Sequence, residues 1–177
     1  MKKVVITAGH GGRDSGAVNG QITEAFIAAD MRNMLAFYLT RDHGIQPTTD
    51  GVGQTNLPLV DAIRLARGAD LAIEIHTNAF TNSRAGGVET ISMPKRKAQA
   101  QRLSKSISTS MGIPLRGEAG WIDQSKSARG RLGFINQADG LIIEMFFISN
   151  PKELETYLAK KWLVAKDLAA TIAEIVK

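Results

Sequence analysis

Three polar residues interrupt or close stretches that otherwise read as buried strands. His10 follows the apolar run VVITAG, His76 closes LAIEIHT, and Glu144 lies inside LIIEMFFI. A fourth, Glu24, opens an amphipathic stretch fourteen residues beyond His10. Two imidazoles and one carboxylate are a known protein ligand set of catalytic zinc, which keeps a further position open for water. A second carboxylate that does not bind the metal can act as general base on that water. His10, Glu24 and His76 are the candidate ligands, and Glu144 is the candidate base. Glu144 has three apolar neighbours before it and four after, and a carboxylate there is costly to bury unless it is paired or near a metal.

Each residue also has a purely structural reading. His10 could serve a turn, His76 could be a hydrogen-bonded core histidine, and Glu144 a paired buried carboxylate. Glu24 suits a helix first turn on dipole grounds alone. Spacing leaves these readings open, because the four residues form no compact local signature.

The elements that must position them are legible from periodicity. Val4 to Ile6 reads as a buried strand, and the glycines of ITAGHGGRDSG let the chain turn sharply after it. From Thr23 to about Asp42, apolar residues recur at three- and four-residue steps, the pattern of a helix with one buried face. Ile45–Thr49 reads as a strand, and Thr55 or Asn56 as the cap of a helix running to about Arg67. Residues 71–77 and Val88–Ser92 read as strands, with a helix over Lys95–Met111. Residues 112–130 read as surface loop with a short strand near 119–122. Leu132–Ile135 and residues 141–148 read as further strands, and Asn150-Pro151 starts a terminal helix. Strand and helix alternate, so the expected fold is α/β. It is expected as a single domain over 1–177: a mostly parallel twisted sheet of about six strands with helices on both faces. In such sheets ligands bind outside the carboxyl ends of the strands, where His10 and His76 fall.

Composition narrows the function classes. The chain has 177 residues and no cysteine, so disulfides and thiolate chemistry are excluded, and any metal site must use His, Asp and Glu. A formal net charge of +5 favours an acidic polymer as partner. No zinc-finger spacing, aromatic RNA-binding signature or long basic helix points to nucleic acid. No apolar run approaches the roughly 20 residues that span a bilayer, and the start MKKVVITAGH is too short for a signal-peptide core. The expectation is a monomer made in the cytoplasm, without stable membrane insertion.

GHGGRDSGA (9–17), Glu24, EIHTNA (74–79) with AGGVE (85–89), and IIEMFFISNPKE (142–153) occur in that order. Together they resemble the zinc-dependent N-acetylmuramoyl-L-alanine amidases of bacterial autolysins and phage endolysins, and they span nearly the whole chain. The resemblance implies a phosphorylase/hydrolase-like α/β fold, Zn2+ bound by His10, Glu24 and His76, and Glu144 as the catalytic carboxylate. It implies peptidoglycan as substrate and cleavage of the amide between N-acetylmuramic acid and L-alanine. Small basic size and the absence of a visible export signal or added wall-binding domain give the expectation of a phage endolysin. A zinc amidase or carboxypeptidase acting on another wall-peptide bond, or a non-catalytic wall-binding module, are the alternative readings.

The chain departs from the family pattern at three places. Glu74 stands where the family usually has Ser, two residues before the second histidine. PTTD (47–50) replaces a Thr-Arg pair, and Met145-Phe146-Phe147 replaces a Gly-Phe pair. Period-two alternation puts Glu74 on the same strand face as His76, either orienting a ligand or competing as one. Asp14 reads as a turn former or as a support of the metal shell, with neither task assigned.

Overall fold

The computed structural model of the chain describes residues 2–127 and 130–177. The strands are β1 (Val4–Ala8), β2 (Val18–Asn19), β3 (Ile22–Thr23), β4 (Thr48–Thr49), β5 (Leu71–Asn78), β6 (Glu89–Ser92), β7 (Trp121–Asp123) and β8 (Leu141–Phe147). The helices are α1 (Glu24–His43), α2 (Leu59–Ala66), α3 (Lys97–Met111), α4 (Gly133–Ala138) and α5 (Pro151–Ile175). A six-stranded sheet runs in the order β4-β1-β5-β8-β6-β7, while β2 and β3 form a separate small hairpin. All neighbours in the large sheet are parallel except β6 and β8, so the sheet is mixed but mostly parallel.

Both faces are covered, which is why the central strands are apolar almost throughout rather than alternating. On one face α1, α3 and α5 pack over Ile6, Ile73, Ile75 and Ile143. On the other, α2 and α4 cover Val5, Ala72 and Ile142.

Helix ends follow from local chemistry. Thr23 Oγ1 accepts from the Phe26 amide at 3.1 Å and starts α1, and Gly44, in the left-handed region at φ 64°, stops it. Asn150 Oδ1 accepts from the Lys152 amide at 3.1 Å, with Pro151 at the first helical position of α5. Among the described residues no helix is long and apolar enough to cross a membrane.

Two expectations are corrected. Leu132–Ile135 is not a strand: Gly133–Ala138 forms α4, burying Phe134, Ile135 and Ala138. A four-residue apolar run fits either structure, and the one-sided burial at steps of one, three and four is the helical one. Asn56 does not cap α2, which begins only at Leu59 after Pro58; its side chain is engaged elsewhere. On α5, Leu168 and Ile172 reach the core, whereas Trp162 and Leu163 stay exposed.

Candidate metal centre

Parallel pairing sets β1, β5 and β8 side by side with their carboxyl ends at one edge. Ala8 pairs with Ile75, and the Gly9 amide donates to the Ile75 carbonyl at 2.9 Å, so His10 leaves the sheet next to His76. His76 is in turn the register partner of Glu144. The β2–β3 hairpin turns the chain back so that Glu24, the first residue of α1, faces the same edge.

The structure brings all four sequence-predicted residues together. His10 Nε2 lies 3.2 Å from Glu24 Oε2, and His76 Nδ1 lies 3.0 Å from Glu24 Oε1. The two imidazole rings meet edge to face, with centroids 5.0 Å apart. Ligand atoms of His10, Glu24 and His76 all lie within 4.8 Å of one another. Glu24 is buried, and its carboxylate is aimed by two backbone amides: Ala17 N donates to Oε2 and Thr77 N to Oε1, each at 3.0 Å. Two imidazoles and a carboxylate converging in this way form a donor set suited to a divalent cation such as zinc.

The glycines make this convergence sterically feasible. A Cβ at Gly9 would overlap the His76 ring, and one at Gly16 would lie 2.7 Å from both Glu24 Oε2 and His10 Cδ2. His10 itself sits at φ 63°, a left-handed conformation uncommon for a residue with a side chain. Its carbonyl and that of Ala8 accept from Asn56 Nδ2, the second at 3.1 Å. The segment carrying Asn56 is anchored by Arg32, fully buried on α1. Arg32 donates to Asp50 Oδ1 at 3.0 Å, Thr55 O at 2.9 Å and Gly53 O at 2.9 Å.

Electrostatics follow from the crowding of carboxylates. The bond to Glu24 raises the His10 pKa above its ordinary value; partial burial opposes this and Asp14 adds to it. For His76, burial pulls the pKa down, but bonds to Glu24 and Glu74 overcome it and leave it well above the ordinary value. Glu24 is destabilised as an anion by burial, yet the two histidines hold it far below the usual carboxylate range. For Glu144 burial outweighs the opposing pull of His76 and His10. Oε2 of this carboxyl group is fully enclosed without a hydrogen-bond partner among the described residues, and burial pushes the Glu144 pKa up to about 7.

Sequence reasoning left several neighbours without a role. Asp14 Oδ2 lies 2.9 Å from His10 Nδ1, and the signal was its position four residues past that histidine. Glu89, the register partner of Glu144 on β6, is held by Arg116 Nε at 2.6 Å and by Asn78 Nδ2 at 3.2 Å. The site opens into a cleft of about 1180 Å³ lined by Glu144, Glu89, Arg116, Leu59 and Arg131 among others.

With this geometry in view, comparison with known proteins is informative. The profile of a family described as N-acetylmuramoyl-L-alanine amidase matches residues 4–174. The chain is similar to the N-acetylmuramoyl-L-alanine amidases AmiA of Salmonella typhimurium and Escherichia coli, at 36% identity over 101 residues. That match takes in 55% of this chain but only 34% of each relative, so it spans about a third of their length. A crystal structure from Neisseria meningitidis, of a protein assigned as an N-acetylmuramoyl-L-alanine amidase, superposes with a TM-score of 0.92 at 44% identity. It covers 98% of this chain and 94% of that one. The catalytic domain of CwlV, an N-acetylmuramoyl-L-alanine amidase from Bacillus (Paenibacillus) polymyxa, superposes with a TM-score of 0.82 at 25% identity, covering 99% and 96%.

Proposed function

The chain belongs to the N-acetylmuramoyl-L-alanine amidase family, and from that premise we propose that it is a zinc-dependent peptidoglycan hydrolase. The bond cut joins the lactyl group of N-acetylmuramic acid to the L-alanine of the stem peptide. His10, Glu24 and His76 hold the metal, and Glu144 is the catalytic carboxylate. Residues 1–177 act as one catalytic domain.

When bound, zinc supplies Lewis-acid polarisation of the scissile carbonyl and lowers the pKa of water toward about 7. The chain's own residues do the rest. Ala17 N and Thr77 N fix Glu24 so that each of its oxygens faces one imidazole. Asp14 restrains His10 from the far side of its ring. Glu144, whose side chain lines the cleft, takes the proton of the attacking water and passes it to the nitrogen of the departing L-alanine. A carboxyl group poised near neutrality suits both halves of that transfer.

The observation that carries this reading is the enclosed, unpartnered Glu144 Oε2 beside three converging ligand atoms. A buried polar atom without a partner costs about 1–3 kcal/mol, a cost most simply offset by function. Metal analysis of the purified protein tests the assignment. One equivalent of zinc in the parent and loss of it in Glu24→Ala support it; an unchanged zinc content in Glu24→Ala refutes the ligand set.

The finer reading is a bacteriolytic enzyme of the endolysin kind, drawn to an anionic wall by its net charge of +5. Purified protein added to permeabilised cells should lyse them, and lysis should weaken as salt screens the attraction. Lysis that is insensitive to salt would remove charge from the model of wall attraction.

A further inference from the structure

Glu74 is buried, with 5% of its surface exposed, two residues before His76 on β5. Its Oε2 lies 3.1 Å from His76 Nε2. The other ring nitrogen, Nδ1, is the one that faces Glu24 at 3.0 Å. A metal shared by Glu24 and His76 Nδ1 therefore has the imidazole between itself and Glu74. The group of converging ligand atoms accordingly contains His10, Glu24 and His76 and not Glu74.

The other histidine repeats the arrangement with its nitrogens exchanged. Asp14 Oδ2 meets His10 Nδ1 at 2.9 Å, and His10 Nε2 faces Glu24 at 3.2 Å. In a neutral imidazole one nitrogen donates and the other accepts, so a carboxylate on one edge decides which lone pair is offered on the other. The two carboxylates are not equivalent. The Asp14 side chain is 70% exposed, so water competes for its bond, whereas Glu74 is shielded.

Resting on the zinc reading above, we propose that Glu74 is a positioning residue that holds the Nε2 proton of His76. His76 then ligates through Nδ1 and His10 through Nε2. Removing such a partner from a ligating histidine lowers metal affinity about 10–100-fold.

The test is zinc affinity by chelator competition on the parent, Glu74→Ala and Glu74→Gln, with melting of each metal-free protein. Glu74→Gln keeps an oxygen that can accept the same bond, so it should stay within a few-fold of the parent. Glu74→Ala should bind about 10–100-fold more weakly, a loss that Glu74→Gln does not share. Nitrogen-15 spectra of the zinc-loaded parent should show His76 metallated at Nδ1 and protonated at Nε2, and His10 the reverse. Parental affinity in Glu74→Ala, or His76 bound through Nε2, overturns the positioning role alone. A parent that takes up no zinc overturns both this role and the proposed metal centre. Should Glu74→Ala fail to fold, the spectrum of the parent decides.

Discussion

His76 and Glu144 are register partners across the parallel β5–β8 pair, so imidazole and carboxylate stand side by side on one face of the sheet. Glu89 flanks Glu144 from β6 on the other side. Burial raises the Glu144 pKa to about 7; His76 opposes the rise, and Glu24 and Glu89 reinforce it. The strand order thus puts a buried carboxyl group beside the candidate ligands.

That relationship has a consequence for stability. The folded-state pKa of Glu144 lies above its ordinary value of 4.5, so the native state binds the extra proton. Its contribution is fully present below about pH 4.5 and is lost as pH rises through about 7. Glu144→Gln carries no such charge. Urea unfolding of the metal-free proteins should show the variant gaining on the parent from pH 5 to pH 8. Parallel stability curves for the two would contradict the buried-carboxylate picture.

Metal binding should depend on pH in the opposite sense. Contacts with Glu24 raise the His10 pKa, and for His76 the bonds to Glu24 and Glu74 outweigh burial. Ligating nitrogens must lose their protons, so zinc affinity should rise with pH and zinc uptake should release protons. Calorimetry at neutral pH in buffers of different ionisation enthalpy measures the number released. Uptake without proton release would mean that the histidines are not the ligands.

Gly9 is required for the space it leaves. It is not held at positive φ, and a methyl group there would overlap the His76 ring. Gly9→Ala should therefore fold, displace the imidazole, and bind zinc at least tenfold more weakly, by analogy with other perturbed ligand shells. Chelator competition gives the answer; affinity equal to the parent would show that the ring has room to move.

The Arg32–Asp50 pair should be felt most in stability. Both side chains are fully buried, and Asp50 also accepts from the Ala8 amide at 3.2 Å. Arg32→Ala leaves the Asp50 carboxylate uncompensated, at a cost of about 3–5 kcal/mol. That corresponds to a drop in melting temperature on the order of 10 °C for a domain of this size. Thermal unfolding that changes by less than a few degrees would show that Arg32 is not the anchor of the 50–56 segment.

The site was legible because its residues violate the pattern around them. His10, His76 and Glu144 break or end apolar strands, and the alternation of strand and helix announces the parallel sheet whose edge they occupy. What escaped is what depends on partners distant in sequence. Arg32 follows Met31 on α1 and would be assigned to the wet face; it is buried because Asp50 and the carbonyls of Gly53 and Thr55 satisfy its guanidinium. Asn56 has the composition of a helix cap, but its amide is spent on the carbonyls of Ala8 and His10. Residues 132–135 are too short a run for periodicity to separate strand from helix, and packing against α2 decides it. Glu74 was placed on the face of His76 by alternation alone, but which edge of the ring it meets is visible only in three dimensions.

Mass spectrometry of purified peptidoglycan digested by the zinc-loaded protein is the most direct test of the central claim. Stem peptides with a free L-alanine amino group should appear together with glycan strands bearing free lactyl carboxyls. The zinc-loaded Glu144→Gln variant should form them about 10²–10⁴-fold more slowly. New reducing sugar ends, cuts elsewhere in the stem, or a Glu144→Gln variant as fast as the parent would contradict it.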